Sequence, residues 1–234
     1  MPALLQKVKQ MSSRQSNPAR QRRLEAMAFY AQASGEAPAL EQDNTYIKLK
    51  QQLMHHRVQL HAVQSITDKA KLKAEFLPEY DGYIDGVLAA GAIPVGDDVY
   101  TTLLVWTIDA GDLNRAVEMA VLVFNADDTM LSVGGFERTA KVAVFEEIAD
   151  QLAKGAAIDV DVLQSLVELA QQKNGELHAL DMPDKVRAKF FKAAGEYFET
   201  QGDKAAAIGV YEAALQYDDK IGVKQKLAAL NKPD

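Results

Sequence analysis

Cysteine is absent from all 234 residues. Disulfides, thiolate metal ligands and a cysteine nucleophile are thereby excluded, and the pattern suits a reducing compartment. Long apolar runs are missing too: nothing approaches the roughly 18 consecutive apolar residues a membrane span needs. The opening Met1-Pro2-Ala3 carries no apolar signal core. The expectation is a soluble cytoplasmic protein with no membrane partner. No Gly-x-x-x-x-Gly-Lys-Ser/Thr phosphate loop occurs, so ATP hydrolysis is not read from this chain. Carboxylates are absent from the first 23 residues, which carry Lys7, Lys9, Arg14, Arg20, Arg22 and Arg23.

That last absence belongs to a larger asymmetry. Residues 1–75 hold 12 Lys and Arg against 6 Asp and Glu, whereas residues 76–234 hold 14 against 27. A basic arm with a net charge of +6 is fused to an acidic body with a net of −13. Such a split suits a module that meets a polyanion at one end and protein at the other. The arm also carries apolar positions Leu4, Leu5, Val8 and Met11 at helical spacing. Asn17-Pro18 reads as an N-cap followed by proline at the first helical position, opening a second short helix through Leu24, Met27 and Tyr30. Two basic helices joined by a polar turn can read DNA, although no recognition-helix motif is present.

With 48% hydrophobic residues over this length the chain can bury a substantial core. The pattern predicts an all-α fold in three parts. Residues 1–44 form the basic DNA-binding arm and a connector, 45–75 a long heptad helix, and 76–234 an acidic helical body. Between Tyr46 and Glu75 there is no Gly or Pro, and Tyr46, Leu49, Leu53, His56, Leu60, Val63, Thr67 and Ala70 follow at alternating steps of three and four. That spacing predicts one helix of roughly 40 Å with a coiled-coil-like seam. Leu49, Leu53, His56, Leu60 and Val63 are its candidate oligomerisation residues; a long core helix within one subunit is the alternative. Lys48, Lys50 and Arg57, with Lys69, Lys71 and Lys73, lie on its outward face, and the first three join the arm as candidate DNA contacts. His55, His56 and His61 do not have the three- or four-residue steps of a helical metal pair, so no metal site is expected.

From Phe76 onward amphipathic helices alternate with short breaks. Gly91 ends one, Asp97-Asp98 caps the next and Gly111-Asp112 breaks it. The stretch Asn125 to Arg138 reads as the longest irregular segment. Helices are predicted again over 139–154, over 159–172 and from Pro183 on. Gly195, Phe198, Gly202, Ala207, Tyr211 and Ala214 fall at the spacing of a tetratricopeptide-like helical hairpin, in which small residues let two helices approach. Catalytic signals are poor. Asp97-Asp98, Asp127-Asp128 and Asp218-Asp219, with Asp109 and Asp112, are the carboxylates a two-metal nuclease would need. All stand at helix ends or turns, where Asp is favoured for capping. No catalytic residue and no cofactor is assigned.

Several blocks of the body are idiosyncratic. They are Phe76-Leu77-Pro78 followed by Tyr83-Ile84-Asp85-Gly86-Val87-Leu88, then Asp97-Asp98 with Trp106-Thr107-Ile108-Asp109-Ala110-Gly111-Asp112, and Asp181-Met182-Pro183-Asp184-Lys185-Val186-Arg187-Ala188-Lys189 before the Gly202-Asp203 hairpin. In order and spacing over roughly residues 70–230 the chain resembles the terminase small subunit of Peduovirus-type tailed phages, the GpM family. The arm matches only in being basic. The resemblance implies a DNA-packaging factor in the cytoplasm of an infected bacterium. Its partners would be double-stranded phage DNA, a large terminase subunit that carries the motor and the nuclease, and further copies of itself in a ring. Proteins of this family are also described as the endonuclease subunit of terminase. Two functions follow as expectations: a non-catalytic DNA-recognition and assembly protein, or a Mg²⁺-dependent endonuclease cutting the cohesive-end site.

Overall fold

The computed structural model of the chain describes residues 44–94, 97–125, 130–133 and 136–232. The arm residues Lys7, Lys9, Arg14, Arg20, Arg22 and Arg23, and the doublet Asp127-Asp128, lie outside them. What is described is all-α in character. The helices are α1 (Asn44–Ala62), α2 (Ile66–Phe76), α3 (Asp81–Ala90), α4 (Asp98–Asp109), α5 (Leu113–Asn125), α6 (Ala140–Ala153), α7 (Val160–Gln171), α8 (Asp184–Thr200), α9 (Lys204–Tyr217) and α10 (Lys224–Leu230). A 3-10 turn, Leu77–Tyr80, joins α2 to α3. Two small antiparallel hairpins interrupt the series: β1 (Met130–Val133) with β2 (Phe136–Thr139), and β3 (Lys173–Asn174) with β4 (Leu177–His178). The first hairpin corrects the reading of residues 125–138 as irregular.

The long heptad helix is also corrected. The chain breaks between Ala62 and Ile66, where the Ser65 side chain accepts a hydrogen bond from the Asp68 N–H at 3.2 Å and starts a new helix. Ser65-x-x-Asp68 is the kind of N-cap signal that ends one helix and opens another. The chain then folds back. In one straight helix His56 and Phe76 would stand about 30 Å apart, yet their rings stack at 3.9 Å. The seam is consequently spent inside the chain: Tyr46, Leu53, His56 and Leu60 are buried against the core, Leu49 and Val63 half-buried, and Thr67 exposed.

That core is continuous from Tyr46 to Val223. At its centre lies α4, buried on nearly every side through Val99, Tyr100, Leu103, Leu104, Trp106 and Ile108. An apolar helix without a solvent face belongs in the middle of a protein. Its three threonines follow the same rule: Thr107 Oγ1 donates to the Leu103 carbonyl at 2.8 Å, and Thr102 Oγ1 and Thr101 Oγ1 to that of Asp98 at 2.7 and 3.3 Å, so none of these hydroxyls is left without a partner. A chain of aromatic contacts then carries the core outward, from Phe124 on α5 to Phe145 on α6, to Phe190 on α8 edge-to-face at 4.8 Å, and through Phe191 to Tyr217 on α9.

The α8–α9 pair is the predicted hairpin. Gly202 sits at φ +79° in its turn, and Asp203 caps α9 through the Ala206 N–H at 3.0 Å. Its close approach depends on Gly195, where a Cβ would fall 2.5 Å from the buried Tyr211 ring. Tyr211 cannot swing away freely because its hydroxyl donates to Glu199 at 2.8 Å. Gly195→Ala is therefore expected to destabilise the protein by about 1–3 kcal/mol through overpacking. Gly209→Ala, on the exposed side of α9 with open space around it, should stabilise by roughly 0.5–1 kcal/mol. Urea unfolding of the two variants checks the pair, and equal effects of the same sign would contradict the packing described.

Candidate functional site

The cations of α1, Lys48, Lys50 and Arg57, stand near the start of the described residues. Lys48 is exposed. Lys50 is turned toward the body: its Nζ lies 3.0 Å from Asp98 Oδ1 and 5.6 Å over the Tyr46 ring. Arg57 Nη2 donates to Thr102 Oγ1 at 3.0 Å. On α2, Lys71 pairs with Asp68 at 3.1 Å and Lys73 with Asp109 at 2.5 Å. The outward basic face thus divides. Lys50, Arg57 and Lys73 help to fasten the two helices to α4, while Lys48 faces solvent.

Among the described residues, Asp97, Asp98, Asp109, Asp112 and Asp218, named above as carboxylates a nuclease would need, are engaged within the fold. Asp97, buried, accepts the Val99 and Tyr100 N–H groups at 3.0 and 3.1 Å through Oδ1, as the N-cap of α4. It also accepts the Tyr46 hydroxyl at 3.1 Å and, through Oδ2, that of Tyr83. One carboxylate therefore starts α4 and ties α1 and α3 to it. Burial and the adjacent carboxylate push both phenols well above the usual tyrosine range, so they remain donors at any physiological pH. Asp112 caps α5 through the Arg115 N–H at 3.1 Å, and Asp218 accepts the Lys220 N–H at 2.9 Å. Among the described residues no group of three or more His, Asp or Glu side chains converges to hold a metal ion.

The three α1 histidines go separate ways. His55 Nε2 lies 2.8 Å from Gln59 Nε2, and His61 is exposed. His56 is enclosed: it stacks on Phe76, meets Tyr80 edge-on, and its Nδ1 lies 2.8 Å from the Tyr80 hydroxyl. The Tyr80 phenol is pushed up to about 12 by burial, so it stays protonated beside His56 Nδ1. Burial holds the imidazole pKa below its ordinary value against the opposing pull of Glu79, 3.9 Å from Nε2. The seam residue His56 is thus a packing and anchoring group inside one subunit.

Sequence reasoning missed Arg187. Almost wholly buried, it donates from Nη2 to the Leu180 carbonyl at 2.7 Å and from Nη1 to the Ala170 carbonyl, and its guanidinium lies 5.4 Å from the centre of the Tyr217 ring. It fastens the end of α7 and the following loop to α8 and α9. The available signal was its place one turn ahead of Phe190 and Phe191, on the apolar side of α8.

The family model described as phage small terminase subunit matches residues 50–193. A curated protein of Escherichia phage P2, named "Terminase, endonuclease subunit", is 31% identical over 216 residues, covering 91% of this chain and 83% of its own length. No solved structure matches.

His56 gives the site a pH signature. Its folded pKa lies below the ordinary 6.5 because of burial, so the unfolded chain binds the proton more readily. Its contribution to stability is complete above pH 6.5 and is lost as the pH falls through that value. The pKa of His178 is lowered by burial as well and acts in the same window. The urea midpoint should therefore fall between about pH 7.5 and pH 5.5, and His56→Phe should flatten part of that slope. An unchanged slope in the variant would contradict the enclosure of His56.

Proposed function

The chain belongs to the phage small terminase subunit family, and we propose on that footing that it serves phage DNA packaging as a DNA-recognition and assembly protein. Its basic arm binds double-stranded phage DNA at the cohesive-end packaging site. Its body assembles as an oligomeric ring and recruits or stimulates a large ATPase and nuclease subunit, in the cytoplasm of the infected host. The observation that carries this reading is the charge division within a family member: six cations and no carboxylate in the first 23 residues, ahead of a body with a net of −13. A body of that charge repels phosphate over most of its surface, which leaves the arm as the polyanion contact. Lys48 extends that contact into α1, whereas Lys50 and Arg57 are partly spent on Asp98 and Thr102.

The name of the phage P2 relative favours a second reading, a Mg²⁺-dependent endonuclease. The roles of Asp97 and Asp112 as helix caps argue against it, since a two-metal site needs carboxylates free to converge on the ions. Purified chain incubated with cohesive-end DNA and Mg²⁺, without a large subunit, is expected to bind and leave the DNA intact. Site-specific nicking by this chain alone would establish the second reading.

Repeating the arm around a ring makes the binding multivalent, so modest single interactions add to an affinity that depends strongly on salt. Neutralising Arg20, Arg22 and Arg23 together should weaken binding to all duplexes and flatten the slope of log affinity against log salt. The change should reach up to about 3 per arm engaged, at roughly 0.9 for each phosphate no longer neutralised. Fluorescence anisotropy across a salt series reads both quantities. Unchanged affinity and slope would remove the arm from the interface.

A further inference from the structure

α1 carries two apolar stripes, and the core accounts for only one of them. The second consists of Ile47, Met54 and Val58, which are 40%, 62% and 64% exposed. At about 100° per residue the three lie within about 40° of one another and about 135° from the centre of the buried stripe. Single exposed apolar residues are ordinary on a protein surface. Three at steps of seven and four on one side of a helix form a strip of the kind another helix or a groove covers.

The charge beside the strip selects what covers it. α1 contains no Asp or Glu: its ionisable side chains are Lys48, Lys50, Arg57, Tyr46 and three histidines. Packing two α1 strips against each other would bring the cations of both helices to the seam with no α1 carboxylate to meet them, Lys50 alone having Asp98 beside it, which is unfavourable. The complementary surface is apolar and acidic, and this chain's own body supplies the matching charge, since residues 76–234 hold 27 Asp and Glu against 14 Lys and Arg, a net of −13.

We propose that the outer face of α1 is a subunit interface, seated on the acidic body of a second copy of the chain. The proposal rests on the oligomeric reading above and names its contact surface. Unlike patches meet, so the contact is heterologous, and a heterologous contact whose rotation closes produces a ring. Because the arm leads directly into α1, each such contact sets one arm at a subunit boundary. The interface also uses the side of α1 opposite Leu53 and Leu60, so assembly does not require the core to open.

The test compares neighbours in sequence. Met54→Asp with Val58→Asp places charge on the exposed strip, where folding should not suffer, whereas Leu53→Asp places it in the core. Light scattering coupled to chromatography on the full chain should give an oligomer for the natural sequence and 25.6 kDa, one chain, for the double variant. Circular dichroism should show unchanged helicity in the double variant. If the natural chain is oligomeric and the folded double variant keeps its mass, the proposed surface is wrong while the oligomeric reading stands. If the natural chain is itself a monomer, both fall. Since the chain has no cysteine, Met54→Cys provides a unique thiol for a benzophenone photo-crosslinker. In a mixture of isotopically light and heavy chains, adducts should join Cys at that position to residues 76–234 of another copy. Adducts between two α1 helices, or to residues 1–43 of the same chain, would overturn the proposal.

Discussion

Much of the molecule depends on the four hydrogen bonds accepted by one buried carboxylate. Asp97 takes two backbone N–H groups at the start of α4 and two phenol hydroxyls from Tyr46 and Tyr83. A helix as apolar as α4 has orphan N–H groups at its first turn and no water to satisfy them. Asp97 supplies that satisfaction, and the remaining lone pairs draw α1 and α3 to the same point. Helix initiation, the docking of the helix that follows the arm, and the enclosure of α4 are thus one electrostatic event.

From this node the packing runs in two directions. Toward the arm, His56, Phe76, Tyr80 and Trp106 build an aromatic joint that folds α2 back onto α1. Toward the C-terminus, the aromatic chain from Phe124 to Tyr217 and the Arg187 bridge hold α8 and α9 to the rest. Burying an arginine is costly unless its donors are met. Here backbone carbonyls and an aromatic face meet most of that need, so the guanidinium acts as a clamp on the body and contributes no surface charge for DNA. Among the described residues, Arg115, Arg187, Lys189 and Lys226 are cations of the body engaged in fastening it.

Helices and their ends were legible in the sequence because caps are local. Asp97, Gly91, Gly111 with Asp112, and Gly202 with Asp203 each stand where a boundary was read. The fold-back at Ser65 was not, because the heptad spacing of Tyr46 to Leu60 carries on numerically through Val63, Thr67 and Ala70 while the capping bond outweighs it. A period of 3.5 reports which side of a helix is apolar, and it does not say whether the partner lies in the same chain. The β1–β2 hairpin escaped for the opposite reason: four-residue strands flanked by glycines give too short a pattern to separate from a loop. Of the candidate DNA-binding set, Lys50 and Arg57 looked equivalent to Lys48 in sequence, and only the tertiary placement of Asp98 and Thr102 distinguishes them.

The central claim is a division of labour, with phosphate met by the basic arm and protein by the acidic helical body. Hydrogen exchange on the full chain, with and without a cohesive-end duplex, tests it most directly. The account predicts that DNA slows exchange within residues 1–43 and at the start of α1, leaving α6 to α10 unchanged. Protection confined to α6 to α10, with none gained in the arm, would contradict it.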